Sequence, residues 1–176
     1  MKRILLKLSG EALAGEEKQG FHEPTVRKVA LQIKQLVEEG VQVGVVIGGG
    51  NFWRGRTSEN IDRTKADQIG MLATIMNCIY VSEICRAEGM QTAVLTPFEC
   101  GSFTKLFSKD RANKYFDRGM VVFLPAVRDI RIFPPIPALC CGQWRWKPRL
   151  SCLPRPLTAY MMTIPKRTLR RRNMMK

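Results

Sequence analysis

Three groups of residues in this chain have the types and spacing to handle a phosphate-bearing ligand. The first centres on Lys7, which sits near the end of the apolar run Arg3-Ile4-Leu5-Leu6-Lys7-Leu8 and just before Ser9-Gly10. The run reads as a buried strand, and the carboxyl end of a strand is where ligands bind in open α/β sheets. An edge lysine snorkelling to water would carry the same pattern. The second group is Gly48-Gly49-Gly50-Asn51, which halts the β-branched run ending at Ile47. Three glycines admit positive φ and close approach to a ligand, with amide N–H groups left to point at an anion. Arg54, four residues on, adds a charged fork suited to phosphate. A strand-ending turn with no ligand would also carry Gly-Gly-Gly. The stretch lacks the Gly-Lys-Ser/Thr of a P-loop, and Trp53 stands where a dinucleotide fingerprint needs its last glycine. The third is Asp67, in the first turn of a predicted helix. A carboxylate there is favoured by the helix dipole, or can accept a hydrogen bond from a sugar or base at the mouth of the sheet.

The elements that must position these residues alternate between strand and helix. Arg3 to Leu8 is a strand, and residues 14–23 are a polar loop holding His22, read as a solvated or capping residue. Pro24 suits a first helical turn. Val26, Val29, Ala30, Ile33, Leu36 and Val37 then follow at helical spacing to Gly40. The strand ending at Ile47 completes a β-α-β unit, with the right-handed crossover such units favour. Thr57 to Lys65 reads as polar and mobile. A long helix is predicted from about Ala66 to Glu88, and a third strand from Gln91 to Thr96. Ser108 caps a short helix ending at Gly119, and Met120 to Pro125 forms a fourth strand. The fold class is α/β, a parallel sheet core with helices on both faces in three layers.

Composition divides the chain in two near Ala126. Residues 1–126 carry 17 Lys/Arg against 14 Asp/Glu, whereas residues 127–176 carry 12 against the single acid Asp129. The overall net charge of +14 therefore belongs mainly to the tail. Seven of the ten prolines lie there too, which makes it a poor core former. Cys78 and Cys85 are seven apart in a helical pattern, a spacing that suits a shared core face. The other cysteines show neither zinc-site pairing nor a secreted disulfide framework. The N-terminus is a poor signal peptide, and no segment approaches the 18 apolar residues of a membrane span. A reduced, cytoplasmic protein without membrane partners is expected.

Three stretches together resemble the bacterial uridylate (UMP) kinases of the amino-acid kinase superfamily: Lys7-Leu8-Ser9-Gly10-Glu11-Ala12-Leu13, Gly48-Gly49-Gly50-Asn51 with Arg54-Gly55, and Ala66-Asp67-Gln68-Ile69-Gly70-Met71-Leu72-Ala73-Thr74. The resemblance covers residues 1–126. It implies transfer of the γ-phosphoryl of ATP to UMP with Mg²⁺, chemistry that needs positive charge and N–H donors around in-line phosphates. It implies that Lys7, Leu8, Ser9 and Gly10 cradle the ATP phosphates, with Lys7 stabilising transition-state charge. Gly50 and Arg54 would serve the ATP side, and Gly49 and Asp67 the UMP side. It implies no protein metal ligands. A homohexamer activated by GTP and inhibited by UTP is also implied, with the loop near Gly15 to Gly20 and the long helix on regulatory and subunit surfaces. Within enzymes, the rival is another amino-acid kinase, acting on carbamate, acetylglutamate, glutamate or aspartate.

The likeness ends at Ala126, where the family continues with a Gly-Thr-Gly-His-Pro-Tyr-Phe-Ser-Thr-Asp-type segment. Here Val127-Arg128-Asp129-Ile130-Arg131-Ile132-Phe133-Pro134 follows. Those eight residues can be encoded GTA CGG GAC ATC CGT ATT TTT CCA, which read out of register contains ACG GGA CAT CCG TAT TTT, or Thr-Gly-His-Pro-Tyr-Phe. With flanking bases included, Gln143 to Lys147 can conceal Ala-Val-Glu-Met-Glu in the same way, and Pro156 to Met162 can conceal Ala-Val-Asp-Gly-Val-Tyr-Asp-Asp. The expectation is a single-base deletion at or just before the codon for Val127. It would leave residues 127–176 out of frame and disordered, the C-terminal half of the fold missing and catalysis impaired. Arg170-Arg171-Arg172 with Trp144 and Trp146 also defines a rival from another class, a nucleic-acid-binding protein with a functional basic arm. Out of frame, the tail would bind polyanions only non-specifically, through charge.

Overall fold

The computed structural model describes residues 3–17, 19–53, 61–126 and 160–164. Six strands form one sheet in the order β4-β3-β5-β2-β1-β6. They are β1 (Arg3–Leu8), β2 (Gln42–Ile47), β3 (Thr92–Thr96), β4 (Lys105–Leu106), β5 (Val121–Pro125) and β6 (Tyr160–Ile164). The first five run parallel, and β6 alone is antiparallel, paired with β1. The helices are α1 (Gly10–Leu13), α2 (Glu23–Glu38), α3 (Arg63–Ala87) and α4 (Lys109–Asp117), with a 3₁₀ turn at Gly15–Glu17.

Strand alternation sorts the apolar residues into two cores. Ile4, Leu6, Leu8, Val43, Val45, Ile47, Val121 and Phe123 face α2 and α3, meeting Val26, Val29, Ala30, Ile33, Cys78, Val81 and Cys85. Val122 and Leu95 face the other way, against Ala112 and Phe116 of α4. Helices thus cover both faces, and both cores draw on β5, as a parallel sheet requires of its central strands. Each fully buried Ile, Val, Leu or Phe contributes roughly 1.5–3 kcal/mol. The Cys78 and Cys85 thiols lie in the first core. Burial pushes the Cys78 pKa up, and burial, then the charge of Glu88, pushes that of Cys85 up to about 12.

Helix boundaries follow local chemistry. Pro24 stands in the first turn of α2, and His22 is its N-cap residue, with the ring Nδ1 bonded to Thr25 Oγ1 at 2.8 Å instead of capping. Ser108 caps α4 by accepting from the Arg111 N–H at 3.1 Å. Two expectations require correction. The segment predicted to be mobile up to Lys65 is already helical from Arg63, because Asp62 accepts from the N–H groups of Thr64 and Lys65. Asp67 therefore lies in the second turn of α3, and Asp62 supplies the N-terminal carboxylate. In addition, α3 is long and apolar enough to cross a membrane by length and composition. Part of that apolar character serves the core, with Ala73, Ile75, Cys78, Val81 and Cys85 buried, while Ile69, Leu72 and Met76 are exposed.

The tail was expected to be disordered throughout, yet Tyr160–Ile164 pairs with β1 from Arg3↔Ile164 to Lys7↔Tyr160. Strand addition at an open edge uses backbone groups and needs no particular side chains. The rest of the tail lies outside the described residues.

Candidate functional site

Parallel pairing of β1 with β2 places Lys7 opposite Val46 and Leu8 opposite Ile47. The two strands therefore release Ser9-Gly10 and Gly48-Gly49-Gly50 side by side at the same end of the sheet. The Gly48 N–H donates to the Leu8 carbonyl at 3.0 Å and ties the two exits together. Ser9 then caps α1, its Oγ accepting from the Ala12 N–H at 3.2 Å.

Glycine is required here for closeness, not for handedness. None of Gly10, Gly48, Gly49 and Gly50 is among the positive-φ glycines, which corrects the expectation for the triple. A Cβ on Gly10 would lie 2.4 Å from Asn51 Oδ1, 2.7 Å from the Gly48 oxygen and 2.8 Å from the Gly50 nitrogen. A Cβ on Gly49 would meet α3, at 3.0 Å from the Ala73 Cβ and 3.1 Å from the Gly70 oxygen. Gly48 has ordinary space around it.

Beyond Gly48 the chain turns, with the Phe52 and Trp53 N–H groups both donating to the Gly49 carbonyl at 3.1 Å. Two carboxamides fix this turn from beneath. Asn51 is 2% exposed and Asn77 on α3 is fully buried. Asn77 Nδ2 donates to the Gly48 carbonyl at 2.6 Å and to Asn51 Oδ1 at 2.7 Å. Asn51 Nδ2 donates to the Gly20 carbonyl at 2.8 Å and to Asn77 Oδ1 at 3.2 Å. The loop after the 3₁₀ turn is thereby hooked to the glycines, and Phe21 stacks on Tyr80 of α3 with ring centroids 3.8 Å apart. Among the described residues, the N–H groups of Gly49 and Gly50 meet no acceptor. Unpaired amides at a strand exit are the donors an anion would use.

The predicted site residues do not all have the same standing. Lys7 is exposed, and among the described residues its ammonium has no ion-pair partner. Leu8 is a core residue, so only its backbone borders the site. Asp67 is exposed one turn before Gly70, whose carbonyl lies against Gly49. That places the carboxylate on the α3 turn leading into the contact with the glycines. Arg54 lies outside the described residues. Among the described residues Trp53 Nε1, which is buried, meets no acceptor, and its ring borders Gly70. Among the described residues, no three His, Cys, Asp or Glu side chains gather where a metal could sit.

Residues 2–131 match the model of the amino acid kinase family. The chain belongs to that family. Among solved structures, the UMP kinase of Bacillus anthracis is 34% identical, with a TM-score of 0.66 over 70% of this chain and 52% of that one. The UMP kinase of Ureaplasma parvum is 28% identical, also with a TM-score of 0.66, over 70% of this chain and 55% of that one. The chain spans about half the length of these kinases. Membership in the amino acid kinase family makes the paired glycine exits and Lys7 a candidate phosphate cradle. Sequence reasoning missed Asn77. Its signal was a carboxamide on the buried stripe of α3, between Ala73 and Val81.

Proposed function

We propose that residues 1–126 form the phosphate-cradling half of a uridylate kinase, which moves the γ-phosphoryl of ATP to UMP and yields UDP and ADP. One observation carries this reading: two glycine exits with acceptor-free amides lie beside a lysine that has no carboxylate partner among the described residues. Phosphoryl transfer asks a protein chiefly for positioning and for positive charge around three phosphate oxygens. In this reading Lys7, Ser9 and Gly10, with Gly50 and Arg54, hold the ATP phosphates, while Gly49 and Asp67 serve UMP. Lys7 offsets the charge developing on the transferred group. Mg²⁺ enters with the ATP phosphates. A cytoplasmic homohexamer in pyrimidine nucleotide synthesis, responsive to GTP and UTP, belongs to the same proposal.

Residues 127–176 are, in this proposal, translated out of frame. The family match ends nearby, at residue 131, five residues past that boundary. The chain as written would then hold ATP poorly and turn over little UMP, because half of the substrate clamp is absent. The test has two arms. Resequencing the gene across the codons for Pro125 to Arg128 is expected to reveal a missing base. A version with that base restored is expected to form ADP only when UMP is added, in a panel that includes carbamate, acetylglutamate, glutamate and aspartate. UMP-dependent turnover by the 176-residue chain would overturn the frameshift reading. Turnover of another acceptor by the restored chain would overturn the choice of UMP.

A further inference from the structure

We infer that Asn77, buried in the middle of α3, is a positioning residue for the phosphate cradle and acts through the Gly48 carbonyl. The inference rests on the nucleotide-binding reading above. In a trans peptide the C=O and the following N–H point in opposite directions. Donation from Asn77 Nδ2 to the Gly48 oxygen at 2.6 Å therefore aims the Gly49 N–H away from α3. Among the described residues that N–H meets no acceptor. The orientation of one phosphate donor is thus set from the helix on the far side of the turn.

The same carboxamide also holds Asn51. Asn77 and Asn51 exchange two hydrogen bonds, at 2.7 and 3.2 Å, and Asn51 passes its remaining N–H to the Gly20 carbonyl. Asn51 Oδ1 in turn fills the space where a Gly10 side chain would be. Both glycine exits and the loop ahead of α2 are therefore registered against a single atom group on α3. A buried carboxamide is costly unless its donors and acceptor are used. Here both Nδ2 hydrogens and Oδ1 have partners, so the pair is fully satisfied and rigid. An apolar side chain would pack in its place but could not direct the peptide.

Asn77→Asp keeps the shape and removes the donor. In the full chain labelled with ¹⁵N-glycine, this variant should displace or broaden the Gly49 and Gly50 amide resonances. Gly89 and Gly119, beyond the ends of α3 and α4, should stay in place. UMP affinity of the chain with the missing base restored, read by calorimetry, should fall about tenfold, the size expected when one hydrogen bond to a charged group is lost. Ser82→Ala, which removes a different buried polar group from α3, should change neither reading. Unchanged Gly49 and Gly50 resonances in Asn77→Asp would overturn the inference, whatever happens to stability. Should that variant not fold, the unsubstituted protein still decides the matter. The Asn77 side-chain NH₂, labelled with ¹⁵N-asparagine, must be protected from solvent exchange, and exchange at the free rate overturns the inference. If the chain with the missing base restored binds no UMP, the nucleotide reading fails by itself, while the glycine resonances still report on Asn77.

Discussion

Strand β1 carries a cation at each end of the same face, and the two lead opposite lives. Arg3, at the amino end, donates to Gln42 Oε1 at 2.9 Å and to Asn113 Oδ1 at 2.8 Å, lies 3.8 Å from Asp117, and sits over the Phe116 ring at 4.3 Å. Gln42 itself donates to the Phe116 carbonyl at 3.0 Å, so β1, β2 and α4 are bolted together at that end. Lys7, four residues on, is exposed and has no ion-pair partner among the described residues. Next to it the N–H groups of Gly49 and Gly50 meet no acceptor among the described residues, and the Glu11 carboxylate lies against Gly50. One end of the sheet has consumed its polar groups in holding the fold. The other leaves a cation and two backbone donors without such partners among the described residues. That contrast makes Arg3 a structural cation and supports the role proposed for Lys7.

The comparison breaks most readily at Gly10. An alanine there would drive its Cβ to within 2.4–2.8 Å of Asn51, Gly48 and Gly50, where two of the three neighbours are backbone. Gly10→Ala is expected to destabilise the protein by about 3 kcal/mol in urea unfolding and to abolish ATP binding. Gly48→Ala, with nothing nearer than 3.6 Å and no positive φ, should stay within about 0.5 kcal/mol of the parent. Equal losses for the two would mean that the glycines serve a generic turn.

The two cations should respond in opposite senses. Arg3→Met keeps the stem and strands the acceptors of Gln42, Asn113 and Asp117. It should cost about 2 kcal/mol of stability and leave ATP affinity within about twofold. Lys7→Met should leave stability within about 0.5 kcal/mol and weaken ATP about tenfold or more. Calorimetry and urea unfolding on both variants check the crossing. A Lys7 variant that loses stability but not affinity would make Lys7 a snorkelling edge residue.

Much of this was legible in the sequence because local signals agreed with one another. Arg3–Leu8 and the strand ending at Ile47 were bounded by glycine or Ser-Gly, and Ser108, Pro24 and Gly119 marked helix ends through chemistry that acts within one turn. What could not be read depended on partners distant in the chain. Asn77 holds the glycine turn only because Gly48 and Asn51 lie within its reach, and spacing on α3 does not reveal that. Asp67 was placed in a first turn because Ala66 begins the apolar pattern, whereas the capping reach of Asp62 starts the helix earlier. Strand β6 had no signal at all, since an antiparallel edge partner is chosen by backbone geometry.

A smaller effect comes from the core between these ends. The Cys85 thiol has its pKa raised from the ordinary 9.0 to about 12, by burial first and then by Glu88. Below about pH 9 the thiol is protonated in both folded and unfolded chains and gives no pH dependence. Above it, the unfolded chain loses the proton while the folded chain retains it until near the raised value. Stability should therefore fall as pH rises through this window, and Cys85→Ala should flatten the slope of urea-derived stability there. A slope unchanged by Cys85→Ala would remove this thiol from the account.

The smallest effect expected sharpens the site end of the comparison. Asp62 accepts from the Thr64 and Lys65 N–H groups at 3.0 and 3.2 Å and starts α3 in an exposed stretch. Asp62→Ala should cost about 1 kcal/mol, the usual worth of such a cap. The loss should be local, with faster hydrogen exchange at Thr64 and Lys65 and no change around Asn77, three turns further on. Asp67 lies between the frayed turn and the firm one. If it serves a nucleotide, fraying should weaken UMP by a small factor, about threefold or less, and leave the Gly49 and Gly50 resonances where they were. A loss of UMP binding as large as that in a direct Asp67→Asn variant would mean that the start of α3 is positioned by its cap. A loss near zero would mean that the contact of Gly49 with Gly70 and Ala73 already holds Asp67 in place.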